Sequence, residues 1–145
     1  MIDRFTGEYS WLSNFSQHAV KIDDQVYPTV EHFYQCQKAA DDMDFQLILH
    51  AGSPGKAKRL GAKLTFDNGK LRQDWYDVNM VIMYNGLRAK FMQHEHLKQR
   101  LLDTGVEDIA EGNNWGDTYW GTVDGVGENH LGKLLMLIRR ELKGD

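Results

Sequence analysis

The chain has 145 residues, 41% hydrophobic and 26% charged, with a formal net charge of −4 and a single cysteine, Cys36. That length can bury a substantial core unaided, and one cysteine excludes an intrachain disulfide. The acidic balance argues against a broad, sequence-independent nucleic-acid surface, though not against action on a nucleotide or one modified base. No export signal opens the chain and no apolar run is long enough for a bilayer, so a cytoplasmic protein with no membrane partner is expected.

In chain order, the first thirty residues read as extended. Residues 19–22 and 25–27 flank Asp23 and Asp24 as two short strands around a tight turn. Pro28 and Thr29 predict a helix from Val30 or Glu31 to about Ala40, with Thr29 as its N-cap. Asp41 or Asp42 caps a second helix from Met43 to His50, stopped at Gly52. Ser53 and Pro54 supply an N-cap and a first-turn proline for a third, ending near Ala62. A long helical pattern runs from about Asp74 to Gln93, and a shorter one from His96 to Thr104 is stopped by Gly105. Residues 106–109 read as a short strand. The last helix covers about Asn129 to Leu142, with Leu131, Leu134, Leu135, Ile138 and Leu142 on its core face. No repeat or linker interrupts this order, so the expectation is α+β: one mostly helical domain over residues 1–145 with a few short strands.

Familiar catalytic signatures are missing. The stretch from Gly52 to Lys56 is too short for a phosphate-binding loop, and Gly125-Val-Gly127 lacks the third glycine and preceding strand of a dinucleotide fingerprint. His94 and His96 stand two apart, which on a helix turns them in different directions, and no cysteine pair supports them. The chain is therefore expected to use neither metal nor cofactor. Cys36 reads as a small core residue.

Three polar and aromatic groupings remain. Glu31, Gln35 and Lys38 fall at i, i+4 and i+7 and form one helical stripe bordered by Tyr34. By spacing alone such a row reads as a solvent face. Its aromatic neighbours argue the other way, because a buried glutamate and lysine must be paired or functional. Trp11 and Asn14 make a second grouping in an irregular region, and Trp75 opens the long helix, where it can stack on a base or plug the core. The third grouping is the loop from Glu111 to Asn129. It carries two tryptophans and five glycines with no apolar periodicity. Asp117, Tyr119 and Trp120 there read either as a pocket wall or as a glycine-rich turn whose rings fill the core.

Taken together, Trp11-Leu-Ser-Asn14-Phe15, the run from Pro28 through Glu31 to Lys38, Arg72-Gln-Asp74-Trp75, Lys90-Phe91, Leu101 to Gly105, Glu111, Asp117-Thr-Tyr-Trp120-Gly121 and the run from Gly127 through Asn129 to Arg139 resemble the YbiA-like, or NADAR, family. The likeness covers nearly the whole chain in order; Trp115 is an added aromatic. It implies an α+β, mostly helical fold and N-glycosidase activity. Some members cleave a ribosylamine phosphate intermediate of riboflavin synthesis, and others remove ADP-ribose from the exocyclic amine of guanine in nucleic acid. By position the resemblance makes Glu31, Lys38 and Asp117 catalytic. It makes Trp11, Asn14, Tyr34, Trp75, Glu111, Trp120 and Asn129 substrate-binding or supporting residues. Breaking an anomeric C–N bond builds positive charge that a carboxylate stabilises, while a second carboxyl protonates the leaving amine or activates water. A ring-opened ribosylamine is an imine that a lysine with lowered pKa can attack. The expected partners are a small nucleotide or ADP-ribosylated guanine in DNA or RNA, with an associated ADP-ribosyltransferase toxin also admitted. A non-catalytic sensor of ADP-ribose or NAD is the remaining alternative, disfavoured because binding alone needs no acid, base and amine together.

Overall fold

The computed structural model describes residues 1–144, which form two compact units: Asn14–Lys90, and Met1–Ser13 together with the chain from Phe91 onward. In the first, β1 (Val20–Ile22) and β2 (Gln25–Tyr27) pair antiparallel, with Val20 opposite Tyr27. Asp23 and Asp24 make the turn with φ of 51° and 66°, the left-handed pair that matches the twist of a two-residue hairpin. Thr29 caps α1 (Val30–Gln37), its hydroxyl accepting from His32 N at 3.1 Å. Asp41 and Ser53 cap α2 (Asp42–Leu49) and α3 (Pro54–Ala62) in the same way. Both helices pack on α1. On α4 (Trp75–Gln93), a Cβ at Gly86 would sit 2.8 Å from the Phe33 ring, so that glycine allows close approach to α1.

α1 stops three residues short of its expected end at Ala40. Lys38, Ala39 and Ala40 instead pair with the chain before α4: Arg72 N donates to Lys38 O at 2.9 Å and Ala40 N to Lys70 O at 3.0 Å. A long-range pairing thus takes over the backbone groups that another helical turn would have used.

In the second unit, the expected extended start is broken by a 3₁₀ turn over Gly7–Leu12, where Trp11 Nε1 donates to Glu8 O at 2.9 Å. Residues 106–109 do not form the expected strand. Only Ile109 bridges to Ile2, with Ile2 N on Asp108 O at 2.9 Å and Ala110 N on Ile2 O at 2.8 Å. α5 (Glu95–Asp103) packs on α6 (His130–Leu142). Leu131, Leu135 and Ile138 are buried as the 3-4 spacing requires, while Leu134 and Leu142 are half-buried. Arg139 is also buried on this helix and donates to Thr104 Oγ1 at 2.8 Å.

The structure thus bears out the α+β reading, with helices dominating and one two-stranded sheet among the described residues. None of their helices is long and apolar enough to cross a membrane.

Candidate active site

The polar stripe of α1 does not face solvent. Glu31 is 7% exposed and Gln35 4%, so two polar side chains that a surface row would leave in water are enclosed. Gln35 Nε2 donates to Glu31 Oε1 at 3.4 Å, a long contact that orients the carboxylate. Gln35 Oε1 is buried with no hydrogen-bond partner, and a Cβ at Gly61 would collide with it. The backbone around Glu31 is anchored too, its N–H donating to Asn14 O at 3.1 Å. Asn14 is buried. Its amide reaches Met83 Sδ at 3.4 Å, while its own Oδ1 is the second buried polar atom without a partner among the described residues. Unsatisfied buried acceptors are uncommon and mark places where a donor from outside the protein is favoured.

Lys38 follows the last turn of α1, half-buried. Its Nζ lies 5.9 Å from the centre of the Tyr34 ring and 5.8 Å from that of Trp75, and those two rings are 5.1 Å apart. Burial lowers the pKa of this amine; Glu31 opposes the shift and Lys58 on α3 adds to it. The site therefore favours the uncharged, nucleophilic form more than water does. Lys38 opens onto a cavity of about 420 Å³ whose walls include Gly61, Leu64, Phe66, Trp75 and Tyr76. Glu31, Tyr34, Lys38 and Trp75 thus make one constellation within the unit Asn14–Lys90.

The remaining expected residues lie in the other unit. Asp117 Oδ1 accepts from Trp120 N at 2.9 Å and Tyr119 N at 3.1 Å, fixing the carboxylate against a tight turn. Tyr119 and Trp120 meet edge-on at 4.9 Å, and His130 stacks obliquely on Tyr119 at 4.6 Å. Glu111 N donates to Asn129 Oδ1 at 3.0 Å, and Asn129 Nδ2 donates to Ile109 O at 2.9 Å. Asn129 precedes α6 in the left-handed region at φ 54° and ties the loop to that helix. Trp11 is 6% exposed, with the Arg100 guanidinium 4.8 Å from its ring centre and Phe91 edge-on at 6.2 Å. The tryptophans of the glycine-rich loop do not fill the core: Trp115 is 58% exposed and Trp120 half-buried.

That loop is organised by Asn113, which the motif pattern does not single out. Its Oδ1 accepts from Asp117 N at 3.1 Å and Trp115 N at 3.3 Å, and its Nδ2 donates to Asp117 O at 2.9 Å. Asn113 Nδ2 also reaches Glu111 O at 3.4 Å, so Asn113→Ala removes four bonds and is expected to lower unfolding free energy by about 1–3 kcal/mol, read by urea denaturation. An unchanged midpoint would show that the loop holds without it.

The whole of this arrangement, from residue 3 to residue 143, matches the NADAR domain family. The chain belongs to that family. An N-glycosidase from Nostoc punctiforme is 40% identical, the match covering 93% of this chain and 86% of that protein. N-glycosidase YbiA of Escherichia coli is 39% identical over 93% of this chain and 82% of its own. A chloroplastic riboflavin biosynthesis protein of Zea mays, PYRR, is 36% identical, but the match covers 23% of its length. The solution NMR structure of Escherichia coli YbiA superposes with a TM-score of 0.83 at 36% identity, covering 99% of this chain and 87% of that one. The NADAR resemblance read from the sequence motifs is therefore confirmed along the chain. Within this NADAR domain, the residues missed by sequence reasoning are Asn113 and the Phe66 and Tyr76 walls of the cavity. Lys90, carried in the sequence motifs without a role, is fully buried and shares a 4-3-4 spacing on α4 with Asn79, Met83 and Gly86.

Proposed function

We propose that this NADAR protein is a metal-independent N-glycosidase that hydrolyses N-ribosyl bonds, with ADP-ribose on the exocyclic amine of guanine in nucleic acid as its substrate. The observation that carries the reading is the half-buried Lys38 amine. It is caged by Tyr34 and Trp75 at the cavity, with the buried carboxylate of Glu31 on the same helix. A binding module for an anionic nucleotide gains nothing from an environment that favours loss of the lysine proton.

The chemistry follows from the groups. The ribosylamine ring opens to an iminium at C1. Lys38 Nζ attacks C1 as a neutral amine, and a proton passed through Glu31 goes to the departing guanine amine as its C–N bond breaks. The resulting Schiff base takes up water, whose proton returns through Glu31, and releases the sugar aldehyde with Lys38 restored. Each transfer is balanced and needs no redox partner. Asp117→Asn tests separately whether the loop carboxylate also serves the reaction.

The second reading, hydrolysis of a ribosylamine phosphate intermediate of riboflavin synthesis, is favoured by the names of relatives such as the Zea mays protein. Turnover of an ADP-ribosylated guanosine oligonucleotide, compared with that of a free ribosylaminopyrimidine phosphate, decides between them. EDTA is expected to leave either rate unchanged. Loss of activity that zinc or magnesium restores would overturn metal independence, and no turnover of either substrate would overturn the N-glycosidase reading.

A further inference from the structure

The cavity beside Lys38 has a feature that hydrolysis of the C–N bond does not itself require. Phe66 and Tyr76 line it, yet are 49% and 72% exposed, with ring centres 5.8 Å apart and planes inclined by 62°. Single exposed aromatics are ordinary on a protein surface. Two in contact, on the wall of a cavity holding a reactive amine, are not explained by that.

Nor does a slack loop explain them. Phe66 stands on the connection between α3 and α4, which is clamped from within. Thr65 N donates to Asn68 Oδ1 at 3.1 Å and Asn68 N to Thr65 Oγ1 at 3.2 Å, while Asn68 Nδ2 holds Lys63 O at 2.7 Å. The same loop is tied to the end of α1 through Ala40 N on Lys70 O. Phe66 is thus held in place at the cavity, and its neighbour Tyr76 is carried by the first turn of α4. The third aromatic wall, Trp75, is 3% exposed and already packed against Tyr34 and Lys38.

We propose that Phe66 and Tyr76 form the stacking platform for a flat heteroaromatic leaving group, the amine-bearing base, and so select base-linked ribosylamines over simple ones. This rests on the N-glycosidase reading and names the part of the substrate that this side of the cavity takes. Inclined rings serve this well, because a base lying on one ring meets the edge of the other, and every base offers a face for stacking. Trp75, which sequence reasoning offered either as a base-stacking ring or as a core plug, becomes the wall of the lysine cage.

The test uses guanosine monophosphate as the probe, titrated by calorimetry into the parent protein, Phe66→Ala, Tyr76→Ala, Phe66→Leu and Tyr76→Phe. Each alanine variant is expected to weaken binding about tenfold, and Tyr76→Phe to keep it. Phe66→Leu keeps apolar bulk without a π face and should lose most of the affinity. Thermal midpoints within a degree or two of the parent, expected for exposed side chains, show that the fold is intact. No binding to the parent, equal affinity in all five proteins, or full retention in Phe66→Leu would overturn the platform. So would a change in sedimentation of the alanine variants without a change in binding, which would assign the rings to contact between copies. Turnover of N-ribosyl substrates by the parent is measured in parallel. Its absence sinks the N-glycosidase reading, whereas normal turnover with ring-insensitive binding sinks the platform alone.

Discussion

Lys38→Arg is expected to reduce turnover by on the order of a thousandfold or more while ligand affinity changes little. Arginine keeps the positive charge and reaches the same rings, but it does not give up its proton in a protein and forms no Schiff base. Borohydride added to the parent enzyme during turnover should trap the sugar on Lys38, seen by peptide mass spectrometry. The pH profile carries a second signature. Burial holds the Lys38 pKa below its ordinary 10.5, and the amine acts only when neutral. The rate should therefore climb with pH as the proton is lost, with the midpoint of the climb below that of an ordinary lysine. Lys58 contributes to the lowering, so Lys58→Gln should move that limb to higher pH. Glu31 opposes the lowering, so Glu31→Gln should move it to lower pH while cutting the plateau rate through loss of the proton shuttle. Near-parental rates in Lys38→Arg, with no trapped adduct, would return the reaction to direct hydrolysis through an oxocarbenium ion.

The second large effect concerns stability. Lys90 on α4 is 0% exposed, and burial brings its pKa down from 10.5 to about 7. In the unfolded chain the amine keeps its ordinary pKa. Between about 7 and 10.5 the unfolded state therefore holds more protons than the folded one, and stability rises with pH through that window. The cost of burying the charged form is fully felt below pH 7 and gone above 10.5, a difference on the order of a few kcal/mol. Lys90→Met keeps the length and apolar stem of the side chain without the titration. Guanidinium unfolding of the two proteins at about pH 6 and about pH 10, either side of most of that window, should show a difference that shifts towards the parent as pH rises. Parallel stability curves would show that Lys90 does not titrate in this range.

These expectations draw unequally on what the chain reveals before it folds. The helix starts at Thr29, Asp41 and Ser53 are legible in the sequence because a cap is a bond between residues three apart, and proline or serine in the right place declares it. The Asp23-Asp24 hairpin and the buried leucines of α6 are legible for the same local reason. The end of α1 is not, because Lys38 to Ala40 pair with residues about thirty positions away. Residues 106–109 fail as a strand because only Ile109 finds a partner, and that partner, Ile2, lies at the other end of the described chain.

The site divides along the same line. Sequence by itself determined the motif set that marks the NADAR family, and it offered Glu31, Gln35 and Lys38 on one helical face as candidates. Whether that face met water or protein was beyond it, since Glu-Gln-Lys spacing is the same on a solvated helix and a buried one. Packing of α3 on α1 set Gly61 against Gln35, and Glu31, bonded to Gln35, is buried beside it. Tertiary packing also brought the loop with Phe66 and the start of α4 with Tyr76 to the cavity beside Lys38. Desolvation is set by which surfaces come together across long stretches of chain, so the altered proton affinities of Lys38 and Lys90 belong to the tertiary structure alone.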